Sequence, residues 1–322
     1  MSTTEASKPP AGLQQWHATA PFLHLHCELG EGPYYEAATH KLRFVDIKKK
    51  RVHAVDLNAA DPASAVETIQ LDTPVTVTAD IDGVDPRERI LIGAKYGIAE
   101  LDRRSGRYEY LARFSSDKDD ERLRSNDGAV DPHGRFWLGT MTDIGLDLQP
   151  EGSVFLFDGT RTARSMRHPV TIPNSVGWSP DGRTQYFTHS TERTIFASDY
   201  DPVTGDLTNE RKFYVHDGPG EPDGFRVDTE GNLWQAVYGE ARVLKISPEG
   251  NLVGQVNLPT RNCTCTQFVG TELFVTSAAM HEGQEGTDKE FELGGGLFRV
   301  EVGARGLEPF LFKVSKAVDP ES

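Results

Sequence analysis

The sequence predicts an all-β protein, a six-bladed β-propeller with four-stranded blades, and three observations carry that prediction. First, one hairpin pattern recurs: a polar lead residue, a short apolar segment, a tight turn rich in Pro, Gly and Asp, and a second apolar strand. It is most complete in Asn126-Asp127-Gly128-Ala129-Val130, the turn Asp131-Pro132-His133-Gly134, and Phe136-Trp137-Leu138-Gly139. The leads fall at Glu31, Asp80, Asn126, Asn174, Asp223 and Thr266, in steps of 49, 46, 48, 49 and 43 residues, the spacing of a repeat architecture. Second, further strand-like segments follow many of the hairpins, which makes up to four short strands per repeat, the content of a propeller blade. Third, 31 Gly and 19 Pro residues suit a chain with many turns, and no long stretch carries a 3.6-residue apolar period.

Taken in order, residues 1–14 begin with a polar stretch containing Pro9-Pro10 and are expected to form a disordered tail, with residues 15–322 forming one propeller domain. Gln15–Cys27 reads as a strand that closes the ring against the last blade, although the sequence leaves open which terminus supplies the closing strand. Third strands are expected at Arg51–Asp56, Ser153–Phe157, Arg242–Ile246 and Gly296–Val300, and fourth strands at Tyr108–Phe114, Arg211–Val215 and Phe310–Val314. Most turns between the first two strands carry Pro, Gly or Asp, as in Ser179-Pro180-Asp181-Gly182 and Asp228-Thr229-Glu230-Gly231.

Charge and composition narrow the partners. A net charge of −15 repels phosphate backbones and anionic lipids, so neither nucleic acid nor membrane is expected as a partner. No segment approaches about 18 continuous apolar residues, and the N-terminal residues lack the apolar core of a signal peptide. A soluble, cytoplasmic protein is expected. Its three cysteines, Cys27, Cys263 and Cys265, make a poor disulfide framework and suit a reducing compartment. The chain has no Gly-x-Ser-x-Gly elbow and no His-Glu-x-x-His helix, and Gly294-Gly295-Gly296 lacks the Gly-Lys-Ser/Thr of a phosphate loop. Nothing in the sequence sets an oligomeric state.

The chemistry sits on the leads. The first strand of every propeller blade lines the central channel, so residues at one phase of different repeats converge at similar depth. Glu31, Asn126, Asn174 and Asp223 share that phase and would bring together two carboxylates and two amides. Such an oxygen set suits a hard divalent cation. Asn-Asp-Gly and Asp-Gly are also common turn formers, but polar groups buried near an axis are costly unless they are bound. The repeated polarity therefore points to a site.

Gly30-Glu31-Gly32-Pro33, Phe44-Val45-Asp46-Ile47, Arg124-x-Asn126-Asp127-Gly128-x-x-Asp131-Pro132-x-Gly134-Arg135, Gly139-Thr140-Met141, Pro173-Asn174-x-x-Gly177-Trp178-Ser179 and Pro222-Asp223-Gly224 run in one order over most of the chain. Together they resemble the senescence marker protein/regucalcin/gluconolactonase family. The resemblance implies a six-bladed propeller with one divalent cation in its channel (Ca, Mg, Mn or Zn) and hydrolysis of sugar lactones. By motif match it implies Glu31, Asn174 and Asp223 as metal ligands and Arg124 and Asn126 as substrate contacts. The chemistry makes Asp223, a ligand with a second carboxylate oxygen, the candidate catalytic base for the attacking water. The match departs at Ile144, where members with sugar-lactone activity can carry a substrate-binding Glu; Asp143 beside it is the candidate replacement. The expected function is metal-dependent hydrolysis of a sugar (aldono-) lactone. A metal-dependent phosphotriesterase or other esterase, and a non-catalytic calcium-binding propeller, are the alternatives.

Overall fold

The computed structural model describes residues 12–115 and 119–314. Its strands form six sheets around one axis, each sheet an antiparallel meander whose first strand is innermost. The inner strands are Gly30–Glu36, Val75–Ala79, Leu123–Val130, Pro173–Trp178, Glu221–Val227 and Cys263–Val269, and each touches the next all the way round. The expected six-bladed β-propeller with four-stranded blades is what the chain builds. Most of the tail expected over residues 1–14 lies outside the described residues. Among the described residues no helix is long and apolar enough to cross a membrane.

Six apolar clusters fill the six seams between blades. Blades one and two close over Val45, Ile47, Val75, Ile90 and Ile92, and blades three and four over Trp137, Leu156, Val176 and Trp178. A strand buried on both faces reads as a continuous apolar run, as Ile90-Leu91-Ile92 does. Inner positions of the blades must therefore be apolar or hydrogen-bonded, which makes the polar ones conspicuous.

The turn chemistry recurs for a physical reason. In blade three Asp131 accepts from the backbone N–H groups of His133 (2.9 Å) and Arg135 (3.0 Å), and from Trp137 Nε1 (3.2 Å). In blade five Asp228 does the same for Glu230 (3.0 Å), Asn232 (2.8 Å) and Trp234 Nε1 (2.9 Å). One carboxylate thus fixes both the turn and the tryptophan six residues on. Gly134 and Gly231 take left-handed φ values of 90° and 88°, which an L side chain resists.

Ring closure departs from expectation at one end. Leu23–His24 pairs with Gly296–Glu301 and completes blade six as its outermost strand, while Gln14–His17 adds in parallel to the edge of blade five. Phe310–Val314, expected as that outer strand, instead crosses the opposite mouth of the channel. Leu307 N–H donates to Val227 O (3.0 Å), Phe312 N–H to Asp80 O (2.9 Å) and Lys313 N–H to Gly134 O (2.8 Å). Phe312 is buried in the seam between blades two and three. Its apolar alternation matches a strand, but the partner that buries it is a seam rather than a sheet edge.

Two leads are misplaced by the sequence pattern. The inner strand of blade two begins at Val75, so Asp80 falls beyond its end and pairs with Arg43 (2.7 Å) instead of facing the site. In blade six the strand begins at Cys263, and Thr266 lies past the level of the other leads, its hydroxyl donating to Trp234 O (2.9 Å).

Candidate active site

Every inner strand carries an irregularity at the same height. The register slips between Glu31 and Tyr34, Val75 and Val77, Ser125 and Gly128, Pro173 and Val176, Pro222 and Phe225, and Cys263 and Thr266. A bulge re-aims the side chain it carries, and here it brings Asn126, Asn174 and Asp223 to one level. Glu31 reaches that level from the residue just before its bulge. Asp223-Gly224 and Asn126-Asp127-Gly128 are therefore bulges within strands and not turns. Gly224 is required by space, since a Cβ there would lie 2.3 Å from Cys265 Sγ.

Glu31, Arg124, Asn126, Asn174 and Asp223 are all buried, each exposing less than a tenth of its surface. The Glu31 carboxyl is close enough to Asp223 to hold the Asp223 carboxyl up. Asn126 Nδ2 donates to Asn174 Oδ1 (3.2 Å) and to Pro173 O (2.9 Å). Asn174 Nδ2 donates to Ser190 Oγ (2.8 Å), whose hydroxyl donates in turn to Pro222 O (2.7 Å). These bonds hold the Asn174 amide with its oxygen toward Asn126.

Arg124 lies folded over this group, buried rather than reaching out of the channel. It donates through Nη1 to Asn126 Oδ1 (2.9 Å) and Ser125 O (2.7 Å), and its Nε has no partner among the described residues. Among the described residues no carboxylate pairs with it directly. Burial lowers it to about 10, and the fields of Asp143, Glu31 and Asp223 act the other way. Asp143 is itself engaged, with Lys95 Nζ at 2.9 Å and the Ile144 N–H at 2.7 Å. Ile144 is exposed.

Sequence reasoning missed Asp127, the second residue of the blade-three bulge. It points away from Asn126 and accepts from Ser175 Oγ (2.5 Å) and the Gly128 N–H (2.7 Å). Ser175 Oγ accepts from the Phe225 N–H (2.9 Å), which ties blades three, four and five together below the site. The only signal was an acidic residue inside an apparent turn motif. Beyond this layer lies an apolar cavity of about 80 Å³, walled by Val77, Val130, Val176, Phe225 and the crossing segment at Leu307 and Phe310. Arg226, Gln267 and Glu308 also line it.

Electrostatics single out the upper level. Burial, then the neighbouring Asp127, pushes Glu31 up to about 8. Burial, then Glu31, then Asp127, holds Asp223 well above the usual carboxylate range. Buried carboxyls facing one another cannot all ionise without a cation. Among the described residues no three His, Cys, Asp or Glu side chains cluster in metal-binding geometry; the oxygens this level offers a cation are those of two carboxylates and of amides. That is a hard-oxygen set, and it fits a divalent cation such as Ca²⁺, Mg²⁺ or Mn²⁺ more closely than a thiolate-seeking metal.

A six-bladed propeller with paired carboxylates, amides and a buried arginine at one end of its channel defines a class of channel-site proteins. The chain belongs to the SMP-30/gluconolactonase/LRE-like family, whose model matches residues 29–279. It is 31% identical over 298 residues to regucalcin of Oryctolagus cuniculus, covering 89% of this chain and 95% of that protein. It is also 31% identical over 291 residues to pentonolactonase XacC of Haloferax volcanii, covering 88% and 94%. Among solved structures, a calcium-binding protein, regucalcin, of Agrobacterium tumefaciens superposes with a TM-score of 0.81 at 26% identity, over 93% of this chain and 99% of that one. The family includes lactonases.

Proposed function

We propose that the chain hydrolyses a sugar (aldono-) lactone to the aldonic acid, with one divalent cation held by Glu31, Asn174 and Asp223. The observation that carries this reading is the convergence of two buried carboxyls and two oriented amides beneath an arginine with no carboxylate partner among the described residues. The kinship with a pentonolactonase supports the substrate class. The acidic composition and the three free, buried thiols suit a cytoplasmic enzyme acting on a small neutral molecule. The cation, when bound, would act as a Lewis acid toward the lactone carbonyl, a contribution of several kcal/mol.

The residues supply the rest. Arg124 presents N–H donors to substrate oxygens, and Asn126 holds that guanidinium by its Oδ1. Asp223 accepts a proton from the attacking water as the water oxygen bonds to the carbonyl carbon. The ring C–O bond then breaks, and the released alkoxide takes a proton, which leaves a hydroxy acid and consumes one water. The layer around Asp127 and the segment below it keep the reaction at one end of the channel.

Turnover of a panel of aldonolactones, followed by proton release, tests the reading against a fluorophosphate and a simple aryl ester. Hydrolysis of the fluorophosphate alone would select the phosphotriesterase, and cation binding with no turnover would select the non-catalytic protein. Within the panel, Arg124→Ala is expected to lower kcat/KM by about thirtyfold, roughly 2 kcal/mol, with cation affinity almost unchanged. An Arg124→Ala protein with a lowered melting temperature but wild-type kcat/KM would make Arg124 a purely structural residue.

A further inference from the structure

Glu221 opens the inner strand of blade five, two residues before Asp223, and pairs in register with Tyr238. Glu221 lies just before the bulge that carries Asp223, and as cross-strand partners Glu221 and Tyr238 share one face of the sheet. The charges of Glu221 and Asp223 both act on the Tyr238 phenol, and that of Glu221 also acts on Asp223. Glu221 is half-buried, yet no described residue donates a hydrogen bond to its carboxylate or forms an ion pair with it. Arg193, the cation whose field reaches it, donates from one nitrogen to Gly218 O (2.8 Å). Asp143, in contrast, is already paired with Lys95 and capped by the Ile144 N–H.

The geometry points to Glu221 as a specificity-determining residue that accepts hydrogen bonds from substrate hydroxyls, and so to a neutral, polyhydroxylated lactone as the substrate. This rests on the lactone reading and supplies the acidic contact that Ile144 does not. A carboxylate half removed from water without a donor is an unfilled acceptor. Hydroxyl groups of a ligand seated between Arg124 of blade three and Glu221 of blade five fill it. A phosphorylated lactone would place its charge against Glu221 and Asp223, and an unsubstituted lactone would leave the acceptor bare. A site built to receive a hydroxyl discriminates strongly against an analogue that lacks it.

The test compares kcat/KM for δ-gluconolactone, 6-phosphogluconolactone and δ-valerolactone in wild type, Glu221→Gln and Glu221→Leu. The preference for δ-gluconolactone over δ-valerolactone is expected to fall about tenfold in Glu221→Leu, mainly through KM. Glu221→Gln, which keeps the shape, is expected to narrow the preference for δ-gluconolactone over its phosphorylated form. Unchanged preferences in both variants overturn the assignment, as does an effect confined to cation affinity. If wild type turns over no lactone, the lactone reading fails by itself. The calorimetric isotherm of D-glucitol on calcium-loaded protein then decides: weaker binding by Glu221→Leu than by wild type supports the assignment, and equal or absent binding overturns it.

Discussion

Asp223→Asn is expected to lower lactone kcat/KM by at least about a thousandfold, roughly 4 kcal/mol. The change keeps the side chain's size and one oxygen, so the loss reports charge and basicity rather than packing. In the proposed mechanism Asp223 would serve both as an anionic ligand of the cation and as the proton acceptor; an amide keeps a ligating oxygen but loses the negative charge and the basicity. The same substitution is expected to raise the melting temperature of the metal-free protein at pH 8. Asp223 is held well above the usual carboxylate range by burial, Glu31 and Asp127. A raised carboxyl costs stability once it ionises, from the unfolded value near 4 upward, and the amide removes that cost. A more stable and inactive Asp223→Asn is the signature of a functional site held against folding stability. Wild-type turnover would remove Asp223 from the chemistry.

Arg43→Met is expected to destabilise the fold by about 4 kcal/mol, because it leaves a largely buried carboxylate without its cation. Arg43 is wholly buried, ion-paired to Glu36 and to Asp80 (2.7 Å), and stacked 4.5 Å from the Tyr34 ring. Glu36 keeps Arg103 (2.8 Å), so Asp80 is the group left bare. Urea unfolding measures the loss, and adding Asp80→Leu to Arg43→Met should recover part of it. A cost no different in the double variant would show that the pair does not carry the effect.

The sequence made the site's upper level legible because polarity at inner-strand positions is costly and repeats at blade spacing. Glu31, Asn126, Asn174 and Asp223 stand out against apolar neighbours for that reason. Blade two hid its own lead: its register slips by a single residue at Thr76, inside Val75-Thr76-Val77-Thr78, which reads as plain strand alternation. The longer turn after Asp80 supplied a false marker instead. In blade six, Cys263-Thr264-Cys265-Thr266 offers small residues at every phase, so the pattern alone does not choose among them. Asp127 was masked by the likeness of Asn-Asp-Gly to a turn, and Glu221 by its place at the start of a strand. Both are identified by their partners, or lack of them, in three dimensions. The crossing of Phe310–Val314 over the channel follows from the burial of Phe312 in a seam, a tertiary effect with no local signature.

The central claim is that a divalent cation joins Glu31, Asn174 and Asp223 and is needed for turnover. Stripping the protein with a chelator and restoring Ca²⁺, Mg²⁺, Mn²⁺ and Zn²⁺ singly, with kcat and melting temperature read on each sample, tests it most directly. The stripped protein should be inactive, and at least one cation should restore turnover and raise the melting temperature by mass action, about 2.7 kcal/mol at a hundredfold excess over Kd. That stabilisation should be larger at pH 8 than at pH 6, because Glu31, pushed up to about 8, binds a proton at the lower pH that the cation must displace. Full turnover by protein verified to be metal-free, or full cation affinity in both Glu31→Gln and Asp223→Asn, would contradict the claim.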